Sequence, residues 1–197
     1  MQQGDLAMAI AETAPGQVIR WHYLGYCALA LAVMTAAIMS HDRWFLNFVH
    51  VICGVLWTGI DLFMGFVMGP ILRRVDISVR REIIIRLVPK TLFLMPTLSI
   101  ITGTAGWFLA KDLGYLDLPW PQFGWVAAAL VLVVLMTILG TFYLLPTNLM
   151  VCLELRRPNP DIAWIGRKMR NFFYAVAAQG TMQVLTIIIM ARFVAGI

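Results

Sequence analysis

The stretch from Trp44 to Arg74 reads WFLNFVHVICGVLWTGIDLFMGFVMGPILRR. Up to Leu72 it holds no basic residue other than His50 and a single acid, Asp61, over a length greater than the ~20 apolar residues that cross a bilayer. His50, Trp57 and Asp61 are spaced at offsets that return, at ~100° per residue, to nearly one side of a helix. Ionisable groups at membrane depth are costly and rarely face lipid, so this side is expected to face the protein interior.

The rest of the chain repeats the apolar theme. It has 197 residues, 61% hydrophobic and 13% charged, with a mean hydropathy of +0.83. A soluble domain has roughly 45–50% apolar and about 25% charged residues. The excess falls in five runs, at about 21–39, 44–72, 87–110, 122–149 and 172–194. Backbone polar groups in a bilayer must be satisfied within the segment, and no alternating pattern competes. The expected fold is therefore an all-α integral membrane protein, a single bundle of five transmembrane helices spanning residues 1–197. Met1 to Gly16 has no basic n-region and carries Asp5 and Glu12, so the first apolar helix is expected to target the chain and stay in it.

Charge sets the orientation. Arg73, Arg74, Arg80, Arg81, Arg86 and Lys90 lie between the second and third runs, and Arg156, Arg157, Arg167, Lys168 and Arg170 between the fourth and fifth. The other two connections hold Arg43 and Lys111. The positive-inside rule makes the two basic connections cytoplasmic, the N-terminus cytoplasmic and the C-terminus external, in a bacterial inner (plasma) membrane. The net charge of +5 then reflects topology and anionic lipid, not nucleic acid. Trp44, Trp107, Tyr115, Trp120 and Trp125 form an outer aromatic belt, and Trp21, Tyr23, Trp164 and Tyr174 an inner one. Asp76 to Leu87 reads as a short interfacial helix, and Asn159-Pro160-Asp161 as a turn and helix start. Pro96 and Pro146 fall inside spans and are expected to kink them.

On a wheel, His50, Gly54, Trp57, Asp61, Met64 and Met68 fall close to one line, with Gly59 opposite. Gly65 and Gly69 form a small-xxx-small pair that admits a neighbouring helix, so the second helix is expected to be central. Asp61 lies near mid-depth and His50 about 16 Å further out, by ~1.5 Å per residue. No span offers Asp61 a mid-depth Lys or Arg. The expected polar lining is Thr97, Thr141, Gln179 and Gln183, with Thr137 and Ser99 nearby, and Asp61 either carries its proton or is hydrogen-bonded in a wet cavity. Asp61 is the candidate proton-handling residue. His50 is either a redox or metal ligand, as to haem iron, or a hydrogen-bonded interfacial histidine. His22 and His41 lie near helix ends. Cys27, Cys53 and Cys152 are isolated, without metal spacing. Met64, Met68 and Met95 are either core filler or the thioethers of a copper path.

The run His50-Val-Ile-Cys-Gly-Val-Leu-Trp57-Thr-Gly59 resembles a pattern found in several small helical membrane families. These are the HemJ-type protoporphyrinogen oxidases, the CopD copper-resistance proteins and the membrane part of bacterial urate-oxidising proteins. Their pattern is His, six mostly apolar residues, Trp and a nearby Gly, then a helix end with Pro or basic residues, here Gly69-Pro70 and Arg73-Arg74. Arg86 to Ala110 resembles them more loosely. The resemblance implies a haem b held by His50, with Trp57 beside it. HemJ-type proteins also carry a lysine in a later Trp-x-His-x-Lys stretch; the run Trp120-Pro-Gln-Phe-Gly124 has neither His nor Lys, so the resemblance does not extend to porphyrinogen oxidation. The leading expectation is an inner-membrane haem-binding or redox protein that handles electrons or protons at a site on the second helix, with a quinone or other redox partner. The alternatives are a small permease or copper-import protein, and a non-catalytic subunit of a homodimer or larger membrane complex.

Overall fold

The computed structural model describes residues 22–195, apart from Arg156 and Pro158. The expected start of the first helix at Trp21, and the place of Trp21 in the inner belt, lie outside the described residues. Every regular element described is helical. Helix α1 is Tyr23–Met39, α2 is Arg43–Arg74, α4 is Phe123–Glu154, α3 is Ile77–Asp112 and α5 is Ile162–Val194. Helices α2 to α5 are long and apolar enough to cross a membrane, while α1, at 17 residues, is shorter.

Local chemistry explains the ends. His41 adopts a left-handed φ of 53°, which turns the chain sharply between α1 and α2. Asp42 then caps α2, its carboxylate accepting from the backbone N–H of Trp44 at 2.9 Å and of Phe45 at 3.4 Å. Gly114, with φ 71°, follows the end of α3 in the left-handed conformation that glycine adopts without strain. Asp161 caps α5 through the Trp164 N–H at 2.8 Å, in the turn the Asn-Pro-Asp run foretells.

Two elements depart from expectation. The segment read as a separate interfacial helix is the first third of α3, and α5 begins at Ile162 rather than Phe172. Both extensions carry the basic residues, which lower hydropathy without lowering helix propensity, so the helices continue past the apolar run. The kinks are also more elaborate than a lone proline. Helix α2 widens to a π-helix over Phe63–Met68, just before Pro70, and α4 does so over Gly140–Leu144, just before Pro146. Proline removes one donor from the ladder, and a π turn re-routes the carbonyls left behind. Pro89 and Pro96 lie within α3, where Thr91 and Thr97 hydroxyls donate to carbonyls of the preceding turn.

Helix α2 is central, as the small-residue pattern implies. On one side Gly65 and Gly69 receive α5: a Cβ on Gly65 would sit 2.6 Å from Ala177 Cα, and one on Gly69 would sit 3.0 Å from Phe173 Cβ. On the other, Gly54 faces Thr102 of α3, and Gly106 of α3 faces His50. The outward faces are apolar: Val51, Val55, Phe63 and Phe66 of α2, Val131, Val134, Ile138 and Phe142 of α4, and Ile187 and Ile188 of α5 are all exposed. A water-soluble monomer does not expose so continuous an apolar surface, whereas lipid requires one.

Candidate functional site: a carboxyl between two helices

The line of residues on α2 turns inward as its spacing demands. Trp57, Asp61 and Met64 are buried, His50 and Gly54 half-buried, and Gly59 exposed with nothing near its Cα. Asp61 is 1% exposed, the most deeply buried charged residue described. Its partners come from α5. The Gln179 side-chain N–H donates to Asp61 Oδ2 at 3.1 Å, and the Gln183 N–H to the same oxygen at 2.9 Å. The two glutamines are four residues apart and so stack on one face of α5. Trp57, one turn before Asp61, reaches the same carboxyl as a weaker side-chain partner.

Backbone packing brings these groups together. The Gly65–Ala177 contact lies on one side of Gln179, and Gly180 packs against Leu62 beside it, where a Cβ would meet Leu62 Cδ2 at 3.0 Å. Both π turns border the cluster: Phe63–Met68 begins two residues after Asp61, and a Cβ on Gly140, the first residue of the other, would sit 3.8 Å from Gln179 Oε1. The carbonyl oxygens Gln179 Oε1 and Gln183 Oε1 are buried and have no hydrogen-bond partner in the protein. A buried polar atom left unpaired costs about 1–3 kcal/mol, so the site holds acceptor capacity beyond what its own residues use.

Of the four polar residues expected to line Asp61, the structure brings up the two glutamines and not the two threonines. Thr97 is half-buried and spends its hydroxyl on the Phe93 carbonyl at 2.8 Å. Thr141 is exposed on the surface of α4, in the π turn that begins at Gly140; its expected place rested on depth, which does not fix the face. One buried polar pair escaped the sequence reading. Asn148 of α4 donates to the Thr91 hydroxyl at 3.1 Å, both side chains being buried, and Asn148 Oδ1 has no protein partner. Its signal was an amide in an apolar span two residues after Pro146.

His50 is a separate site. Its Nδ1 lies 2.9 Å from the Thr102 carbonyl oxygen; a carbonyl only accepts, so Nδ1 carries the hydrogen and Nε2 keeps its lone pair. The Cε1–Nδ1 edge of the ring packs against α3, where a Cβ on Gly106 would fall 2.7 Å from His50 Cε1. An imidazole held by a backbone carbonyl through one nitrogen and open at the other is how histidine is prepared as a metal ligand. Were a haem bound here, His50 would be the one ligand that this site offers it. No set of three or more His, Cys, Asp and Glu side chains that would hold a metal ion occurs among the described residues. Trp57, expected beside the same group, instead packs with Leu98 and Met136 and turns toward Asp61. Cys53, Met95 and Met182 surround that cluster as apolar filling.

Comparison with known proteins adds no assignment: no family model, no curated protein and no solved structure matches the chain.

Proposed function

We propose that this is a multi-pass protein of the bacterial inner membrane, with five crossings, in which Asp61 takes up and releases protons inside the bundle. The observation that supports this reading is the pairing of a fully buried carboxyl with two primary amides and no cation. An isolated buried carboxylate costs several kcal/mol, so a structural role alone would favour an Arg or Lys partner or an apolar residue. Amides do what a cation does not. While Asp61 is ionised, both glutamines donate to it. When it is protonated, either amide turns through 180° and offers its now unpartnered Oε1 to the acid O–H. Asp61 is hydrogen-bonded in both charge states with only side-chain rotation of the amides. Asn148 and Thr91, nearer the basic end of the bundle, offer a second exchangeable amide–hydroxyl pair on the inward side.

The test is proton movement in vesicles containing the pure protein and a pH-sensitive dye. Asp61→Asn keeps an acceptor for both glutamines and so keeps the fold, but holds no exchangeable acid. Wild-type vesicles are expected to dissipate an imposed pH gradient faster than empty ones, and Asp61→Asn vesicles to match the empty ones, a loss of at least about tenfold for a required acid–base group. Equal rates for wild type and Asp61→Asn, with both proteins folded, would remove the proposal.

A second reading, electron transfer through a haem on His50, has its own observation in the imidazole held by Thr102 against Gly106. In that reading the haem supplies the redox chemistry, the Thr102 carbonyl fixes the His50 tautomer, and Gly106 leaves room for the ring. A quinone or protein redox partner would exchange electrons with it.

A further inference from the structure

At the basic end of the bundle a cavity of about 670 Å³ opens between α2, α3 and α5. Five arginines line it: Arg73 from α2, Arg80 and Arg81 from α3, Arg167 and Arg170 from α5. No described lining residue is acidic. Of the nearby acids, Glu82 pairs with Arg86, Glu154 with Arg157, and Asp161 caps the first turn of α5, while Asp76 is exposed at the start of α3 and does not line the cavity. Arg81, Arg167 and Arg170 make no hydrogen bond or ion pair with any described residue, and Arg73 spends its charge only on the face of the Tyr174 ring, 4.9 Å away. Beneath the arginines the wall is apolar, formed by Leu72, Ile84, Leu155 and Phe173.

The positive-inside rule asks for basic residues in these connections. It does not ask that three helices line one concave site with five of them: Arg73, Arg81, Arg167 and Arg170 are exposed along it and Arg80 is half-buried. Arg80 makes the difference specific. Its Nη2 donates to the carbonyls of Arg73 and Val75 at 3.2 and 3.3 Å, closing the C-terminal end of α2. This fixes the guanidinium at the cavity wall, where its Nη1 would lie 3.9 Å from a Cβ on Gly166. Its Nε is buried with no partner. A buried guanidinium N–H without an acceptor is costly, and an anion in the cavity would supply one.

We propose that this cavity binds the phosphate group of an anionic amphiphile, with the arginines on the phosphate oxygens and the apolar wall along the tail. Arginine forks match phosphate oxygens in pairs. Convergent arginines above an apolar wall at the membrane surface select a phosphate attached to hydrocarbon over a free one. The site is independent of Asp61, which lies about 18 Å away along α2 at ~1.5 Å per residue.

The experiment is native mass spectrometry of the full chain in detergent, titrated with phosphatidylglycerol and with phosphatidylcholine, and read as the fraction of protein carrying lipid. Three variants are compared with wild type. Arg81→Gln/Arg170→Gln removes two charges that hold no structural contact. Gly166→Leu fills the cavity and leaves every charge in place. Arg86→Gln/Lys90→Gln removes the same charge outside the cavity. Phosphatidylglycerol is expected to bind wild type in preference to phosphatidylcholine, and to bind the first two variants on the order of tenfold or more weakly. The third variant is expected to stay within about twofold of wild type, since loss of screened surface charge matters little. Equal weakening in all three variants would mean diffuse attraction to anionic lipid and overturn the site. So would unchanged binding in Gly166→Leu. Displacement of the lipid by millimolar inorganic phosphate would make free phosphate the ligand and overturn the amphiphile.

Discussion

At the scale of single residues, His50 and Asp61, in the apolar stretch of α2, have separated into different kinds of site. Asp61 is enclosed and meets two amides of α5. His50 meets one backbone carbonyl of α3 and leaves its other nitrogen without a protein partner. Their burial was legible in the sequence because an 11-residue offset on a helix admits little else for polar groups in a membrane span. The glutamines were legible by depth alone, on a helix running opposite to α2. The threonines lie elsewhere because depth carries no information about facing: Thr141 is exposed and Thr97 bonds to its own helix. His50 has a test of its own. If it holds haem, the purified protein shows a Soret band that is lost in His50→Ala and weakened in Gly106→Ala, whose added methyl presses on the ring at Cε1. Absorption spectra of the three proteins, with and without added haem, check this. Colourless wild-type protein in the presence of haem would remove the redox reading and leave Asp61 chemistry untouched.

At the scale of elements, the contact between α2 and α5 carries the site. Gly65 meets the backbone of Ala177, not the flexible tip of a side chain. An added methyl cannot be accommodated by a rotamer change, so the helices must part, and overpacking of this kind costs about 1–3 kcal/mol. Gly65→Ala is therefore expected to lower the melting temperature in detergent and to draw the two glutamines away from Asp61. Gly59→Ala is the matched control. Nothing lies near its Cα, and replacing a mid-helix glycine by alanine removes a penalty of about 1 kcal/mol, so its melting temperature should equal or exceed that of wild type. A Gly65→Ala protein that melts with wild type would contradict the close approach. The small-residue pair in α2 made this contact readable before the structure. The π turns were not readable as such, although Pro70 and Pro146 mark where each one ends. The continuity of α3 was hidden for a different reason: dense charge in Asp76–Leu87 sets that segment apart from the apolar run on a hydropathy scale, so it read as a separate interfacial helix, while the helix runs on through Pro89 and Pro96.

At the scale of the whole molecule, the crossing number turns on α1. Four helices have the length and composition to span, and the basic ends of three of them, α2, α3 and α5, meet around one arginine-lined cavity. By the charge rule that end is expected in the cytoplasm and the end of α5 outside, whether or not α1 crosses. Helix α1, at 17 residues, reaches ~25 Å at 1.5 Å per residue, short of a ~30 Å hydrocarbon core but within what local thinning and interfacial residues accommodate. Its exposed Leu24, Leu29 and Val33 suit lipid, while Ala37 packs against the outer halves of α2 and α3 with Leu46 and Ile101. A helix lying flat on the membrane would not run alongside the outer half of the bundle. Five crossings are therefore expected, and reporter fusions discriminate. Alkaline phosphatase, active only outside, should be active when fused after Ile197 and inactive within 76–90. A cytoplasm-dependent fluorescent protein fused before Met1 should fold and fluoresce if α1 crosses, and should stay dark if it does not. A dark N-terminal fusion with an active C-terminal one would reduce the bundle to four crossings, with α1 a peripheral helix on its outer face.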